Sequence, residues 1–184
     1  LETPMNPEQR GYLETIHTSI ESLLAIINDI LDFSKIEAGK MELDTRPFDL
    51  RVCLEESLDL LSAKAAEKKL DLVYQLDDAI PVLVHGDSLR LRQVLANLFS
   101  NAIKFTEQGD VLLTVKMLSM PLTDEKKLQP VQLHFSVRDT GVGITPEKLA
   151  KLFKPFMQAD ASTARHYGGS GLGLTISKRL VEMM

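Results

Sequence analysis

The sequence predicts an α+β chain: a long bundle-forming helix, then an α/β sandwich in which helices cover one face of a mixed sheet. Three observations carry this expectation. Leu13, Ile16, Ile20, Leu23, Ile27 and Ile30 recur at alternating spacings of 3 and 4 through a proline-free stretch, which is the pattern of a helical seam. Residues 70–76, 111–117 and 131–138 alternate apolar and polar side chains with the period of a half-buried strand. Between these segments lie helical patterns opened by aspartates in capping positions.

Taken in order, the first helix is expected from Glu8 to about Gly39, where glycine is a stop signal. Leu24 and Leu31 widen its apolar stripe, as a helix meeting more than one neighbour requires. A core helix of a monomeric domain remains the other reading of this pattern. Arg46-Pro47-Phe48 breaks the helical pattern, and Asp49 caps a second helix reaching about Lys69. A strand over 70–76 and a short apolar run over 82–85 come next. Asp87 then caps a helix through Phe105, and Gly109-Asp110 turns into the strand 111–117. Residues 119–130 are polar with two prolines and read as a surface hairpin loop, followed by the strand 131–138. Pro146 opens a short helix, residues 158–170 read as a mobile lid, and a last helix starts near Gly171. The division expected is 1–45 for the helix and 46–184 for the sandwich.

Composition narrows the function classes. With 44% hydrophobic residues the 184-residue chain can bury a core. Its net charge of -5 argues against nucleic acid as the main partner. Its apolar runs are too short for a membrane-crossing helix, and no leader pattern opens the chain. The single cysteine, Cys53, cannot form an internal disulfide and reads as a packing residue, which fits a reducing cytosol.

The chemistry lies in four ordered blocks. Asn97 and Asn101 are one helical turn apart on one face, with Lys104 and Phe105 closing the same helix. Their amide oxygens suit Mg²⁺ when phosphates and water complete the shell. Lys104 can meet a phosphate as a point charge. Asp139, at a strand end, precedes Thr-Gly141-Val-Gly143. A carboxylate there can accept from an exocyclic amine, and the glycines let backbone pass close to a flat base. Phe153-Lys-Pro-Phe156 follows. The run Gly168-Gly169-Ser-Gly171-Leu172-Gly173 then opens a helix, where backbone N–H groups favour phosphate. It is neither a Walker loop nor a dinucleotide fingerprint, lacking the Gly-Lys-Ser/Thr ending of the first and the βαβ unit of the second.

In order and spacing the blocks resemble the Bergerat-fold (GHKL) ATP-binding domain of sensor histidine kinases, a fold shared with type II topoisomerases and Hsp90-type chaperones. The resemblance implies ATP and Mg²⁺ as ligands, with Asn101 as the main Mg²⁺ ligand and Asn97 beside it. It implies Lys104 on phosphate, Phe105 lining the base pocket, and Asp139 on the adenine amino group with Gly141 and Gly143 alongside. Phe153 and Phe156 would root the lid. Gly169, Gly171, Leu172 and Gly173 would cover the phosphates, and Arg165 would stand near the γ-phosphate. Asn97 occupies the place where the hydrolysing relatives carry a glutamate. An amide cannot remove a proton from water, which argues for a kinase over an ATPase.

Asn28-Asp-Ile-Leu-Asp-Phe-Ser-Lys-Ile-Glu-Ala-Gly-Lys40 resembles the second helix of the kinase dimerisation domain, in a form frequent in hybrid kinases. The resemblance implies a homodimer through this helix, a response regulator or receiver domain as partner, and a cytoplasmic location. None of His17, His85, His134 or His166 is followed by the Glu-Leu/Ile-Arg-Thr-Pro of the family's acceptor. His17 reads as a bundle-surface residue, His85 and His134 as structural, and His166 as a weak phosphate contact. Glu2-Thr-Pro-Met-Asn6 is similar to the tail of the acceptor motif, but about thirty residues to Lys35 leave too little chain for two helices. Residues 1–7 therefore read as an inter-helix loop. The expectation is a piece of a longer enzyme, short of the first dimerisation helix and of the final strands, with its acceptor histidine elsewhere. A nucleotide-sensing scaffold, a Bergerat-fold ATPase and a kinase for serine or another residue remain as rivals.

Overall fold

A computed structural model of the chain describes residues 5–119, 131–157 and 170–184. Most of the expected hairpin loop and of the expected lid lies outside the described residues. The chain divides into two compact units, Leu1–Glu42 with Lys151–Arg179, and Leu43–Ala150 with Leu180–Met184.

In the first unit, α1 spans Pro7–Glu37. Its start is fixed by a reciprocal cap: Gln9 N donates to Asn6 Oδ1 at 2.8 Å, and Asn6 N donates to Gln9 Oε1 at 3.1 Å. This satisfies two amides that the first turn leaves without partners, and Pro7 needs none. The helix ends through Ala38, and Gly39 takes φ 63, the left-handed geometry expected of a stop glycine. No residue of α1 is buried. Its seam residues stand open, Ile20 at 53% and Leu23 at 58% exposure.

The second unit opens with β1 (Arg46–Asp49), α2 (Leu50–Glu67), β2 (Asp71–Leu76), β3 (Leu83–Gly86) and α3 (Ser88–Phe105). It continues with β4 (Asp110–Ser119), β5 (Gln132–Asp139) and α4 (Pro146–Leu149), while α5 (Gly173–Met183) runs from the first unit into the second. Both predicted aspartate caps form: Asp49 Oδ1 accepts from Val52 N at 3.1 Å, and Asp87 Oδ1 from Arg90 N at 3.0 Å. The second oxygen of Asp87 accepts from Asp44 N at 3.0 Å, so one carboxylate also fastens the segment leading into the unit.

β2 pairs parallel with β4, and β4 antiparallel with β5, giving a mixed three-stranded sheet. Two expectations shift here. Arg46-Pro47-Phe48, read as a break, is a short strand that pairs antiparallel with β3 in a separate two-stranded ribbon. Proline is tolerated there because such a ribbon has an open edge where a missing N–H costs nothing. β4 runs on to Ser119, past the expected end at Met117, with a register shift between those two residues. The last helix, expected to start near Gly171, begins at Gly173.

The core lies between the three-stranded sheet and the helices α2 and α3. Val111, Leu113 and Val115 of β4 are fully buried on one face, as the period of two demands. They pack with Leu50, Leu54 and Leu58 of α2 and with Leu95, Phe99 and Ile103 of α3. Cys53 of α2 is also buried, and desolvation raises its thiol pKa, consistent with a packing role. Among the described residues no helix is long and apolar enough to cross a membrane.

Candidate functional site

α3 has two faces with different work. Phe99, Ala102 and Ile103 point into the core, which leaves Asn97, Asn101 and Lys104 partly accessible on the opposite side. Asn101 Nδ2 donates to Asn97 Oδ1 at 3.3 Å, so the two amides share one helical turn as their spacing predicts. Lys104 lies with its ammonium 5.1 Å from the centre of the Phe105 ring. Desolvation holds the Lys104 pKa below the usual lysine range.

The end of α3 meets the Asp139–Gly143 turn. Val142 N donates to Phe105 O at 3.3 Å. Asp139, the last residue of β5, accepts from Gly141 N at 2.9 Å through Oδ1, closing an Asx turn. A Cβ on Gly141 would stand 2.4 Å from Phe105 O. The reason for glycine there is thus the protein's own backbone. Gly143 has open space around it but takes φ 68, so its glycine serves conformation. Thr140 was not singled out from sequence. Its Oγ1 accepts from Asp110 N at 3.1 Å and lies 3.3 Å from Gln108 O. It thereby ties the same turn to the α3–β4 connection. The available signal was Gly109, whose φ of +116 brings that connection against Thr140.

The other predicted residues belong to the first unit. Phe153 and Phe156 are exposed at 48% and 65%. Phe156 takes the uncommon φ of 61 and meets Phe33 of α1 edge-on, with ring centres 6.2 Å apart. The Lys178 ammonium lies 5.8 Å from the Phe153 ring centre, and Thr175 Oγ1 donates to Phe153 O at 3.2 Å. Gly171 has φ +70, and a Cβ there would approach the Phe156 backbone to 3.1 Å. Ser170 donates to Asp29 of α1 at 2.6 Å, while Leu172 N donates to Ser170 Oγ at 3.2 Å. Leu172 is fully buried, and Gly173 opens α5. Arg165, His166 and Gly169 lie outside the described residues.

Among the described residues, no cluster of three or more His, Cys, Asp or Glu side chains could hold a metal. The side-chain oxygens of Asn97 and Asn101, on one turn of α3, could join a ligand's phosphates and water in a donor set that suits Mg²⁺.

A family profile described as histidine kinase-, DNA gyrase B-, and HSP90-like ATPase matches residues 86–184. A second, the His Kinase A (phospho-acceptor) domain, matches residues 1–39. The chain is 48% identical over 180 residues to the sensor histidine kinase GacS of Pseudomonas protegens, covering 98% of this chain and 19% of that protein. It is 46% identical over 184 residues to the signal transduction histidine-protein kinase BarA of Escherichia coli K12, covering 100% of this chain and 19% of that protein. The fold is also similar to full-length ShkA crystallised with AMPPNP, with a TM-score of 0.77 and 35% identity over 99% of this chain and 35% of that one. The chain thus spans about a fifth of the length of these curated relatives.

Proposed function

The chain belongs to the histidine kinase-, DNA gyrase B- and HSP90-like ATPase family, and from that premise we propose that it is the ATP-binding catalytic module of a sensor histidine kinase. In this reading the γ-phosphoryl of ATP passes to a histidine outside this chain and then to a response-regulator aspartate. The observation that carries the proposal is the junction at the end of α3. Asn97, Asn101, Lys104 and Phe105 end beside the Asp139–Gly143 turn, and the Val142–Phe105 hydrogen bond fastens the two together.

Each group has a role its chemistry allows. With Asp139 Oδ1 engaged by Gly141, Oδ2 is the oxygen to receive the adenine amino group. Phe105 offers an apolar wall to the base, and Lys104 offers its ammonium to a phosphate. Asn97 and Asn101 would hold Mg²⁺, which neutralises phosphate charge when bound. Phe153 and Phe156 would root a lid completed by Gly169, Gly171, Leu172 and Gly173, with Arg165 near the transferred group. An amide at Asn97 cannot act as a base toward water, so bound ATP would persist until an imidazole arrives. Phosphoryl transfer would then form a phosphorus–nitrogen bond and release ADP.

The acceptor is assigned outside the chain because none of the four histidines carries the acceptor pattern. His17, the one on α1, is exposed and 3.6 Å from Glu21, and is followed by Thr-Ser-Ile. Residues 1–45 would supply the second helix of a homodimeric bundle, residues 46–184 the catalytic domain, and a receiver domain the next partner. The module would work on the cytoplasmic side.

Calorimetric titration with Mg·ADP tests the reading. Saturable one-site binding is expected, lost in Asp139→Ala. A separate acceptor-helix polypeptide added with ATP should then gain an acid-labile phosphate. Failure of the unmutated chain to bind Mg·ADP would sink the proposal.

A further inference from the structure

We infer that Lys68, which lies outside every motif of the site, is a positioning residue for the nucleotide pocket; the inference rests on the ATP-binding reading above. The last carbonyls of a helix have no partners within it. At the end of α3 the Lys68 ammonium donates to the carbonyls of Ile103, Lys104 and Thr106 at 2.7, 3.0 and 3.1 Å. The carbonyl skipped in that series, Phe105 O, accepts from Val142 N instead. Four consecutive carbonyls are therefore held, three from one side by Lys68 and one from the other by the Asp139–Gly143 turn.

The chemistry suits lysine specifically. An ammonium has three N–H donors around one point, matching three carbonyls that converge on it, whereas a guanidinium presents a planar fork. A cation at a helix C-terminus also meets the negative end of the macrodipole. Lys68 is itself anchored, as the C-cap of α2 with its N–H bonded to Ala65 O. Thr106 is wholly buried and its Oγ1 has no hydrogen-bond partner among the described residues, so its polar anchorage comes from its backbone. That backbone is held by Ala102 O and by Lys68. Lys68 thus sets where α3 stops, and hence where Lys104 and Phe105 are presented and where Val142 can dock.

The test separates positioning from general support by comparing affinity with stability. Mg·ADP titrations and thermal melts would be run on the whole chain, on Lys68→Met and on Lys64→Met, an exposed control in the last turn of α2. Titrations would be made well below each melting point, where every variant is folded. Lys68→Met, which removes all three hydrogen bonds at the end of α3, should raise the Kd about tenfold through the displaced pocket. Amide exchange at Val142 should speed up, and Lys64→Met should leave both unchanged. Lys68→Met that melts lower yet binds as tightly as the parent would overturn the inference and leave only structural support. Should Lys68→Met fail to fold, Lys68→Gln, which keeps one donor group, carries the same comparison. A parent chain that does not bind Mg·ADP would defeat the functional reading itself, a result distinct from parent and variants binding alike.

Discussion

Val142 donates its amide hydrogen to the carbonyl oxygen of Phe105 across 3.3 Å, joining the end of α3 to the turn that follows β5. This one bond brings two sequence blocks, separated by more than thirty residues, into a single site. Gly141 makes it possible by keeping its α carbon bare against the same oxygen.

Gly141→Ala should therefore be costly. A Cβ 2.4 Å from Phe105 O cannot be relieved by a side-chain rotation, since the obstacle is backbone. We expect a loss of about 1–3 kcal/mol in urea unfolding, typical of overpacking, together with loss of Mg·ADP binding. Gly143→Ala meets open space and only the strain of φ 68, costing about 1 kcal/mol. Equal losses at the two positions would contradict the distinction between crowding and conformation.

Lys104 gives a pH prediction. Desolvation lowers its pKa in the folded chain below the unfolded value of 10.5. Between the lowered value and 10.5 the unfolded state binds more protons, so this residue's contribution to stability rises with pH across that window. A phosphate beside the ammonium favours the charged form, so binding there draws a proton onto Lys104. Mg·ADP affinity should accordingly fall as pH climbs through the lowered pKa, and Lys104→Met should flatten that part of the profile. Affinity that stays constant from neutral pH up through 10.5, the unfolded value, in the parent would exclude Lys104 from phosphate contact.

Phe99 links the site to the core. It is completely buried, and lies between Asn97 and Asn101 in sequence but on the opposite face of α3. Phe99→Ala should cost about 3–5 kcal/mol by leaving a cavity. Because the same helix carries the asparagines, residual folded protein should also bind nucleotide more weakly. Chemical denaturation followed by far-UV circular dichroism measures the first effect, and titration at low temperature the second.

Much of this was legible in the sequence because the signals are local. Asp49 and Asp87 announce their helices through the capping preference of a short carboxylate, and both caps form. The Asn97–Asn101 pairing follows from helical spacing alone. What escaped depends on tertiary approach. The strand character of Arg46–Asp49 exists only because β3 lies beside it, and Pro47 obscures it. Thr140 and Lys68 make their hydrogen bonds to residues 30 to 38 positions away, mostly to backbone carbonyls, which carry no sequence signature. Separation of the strands into two sheets also depends on long-range pairing that no local period encodes.

The seam of α1 supports the last prediction. Thirty-one residues form this helix, none is buried, and Ile16, Ile20, Leu23, Ile27 and Ile30 are each more than 40% exposed. A helix is stabilised chiefly by packing its apolar face, and a stripe this long left in water would be an aggregation liability. Its heptad spacing fits a second helix of the same kind. Sedimentation velocity should therefore show reversible dimerisation over micromolar concentrations. Ile20→Asp and Ile27→Asp each place a charge in the seam, and should shift the chain to monomer while leaving Mg·ADP affinity unchanged, since neither residue belongs to the site. A parent chain that remains monomeric at the highest concentration would remove α1 as the dimer contact. Loss of binding in the two variants would instead show that the helix supports the pocket directly.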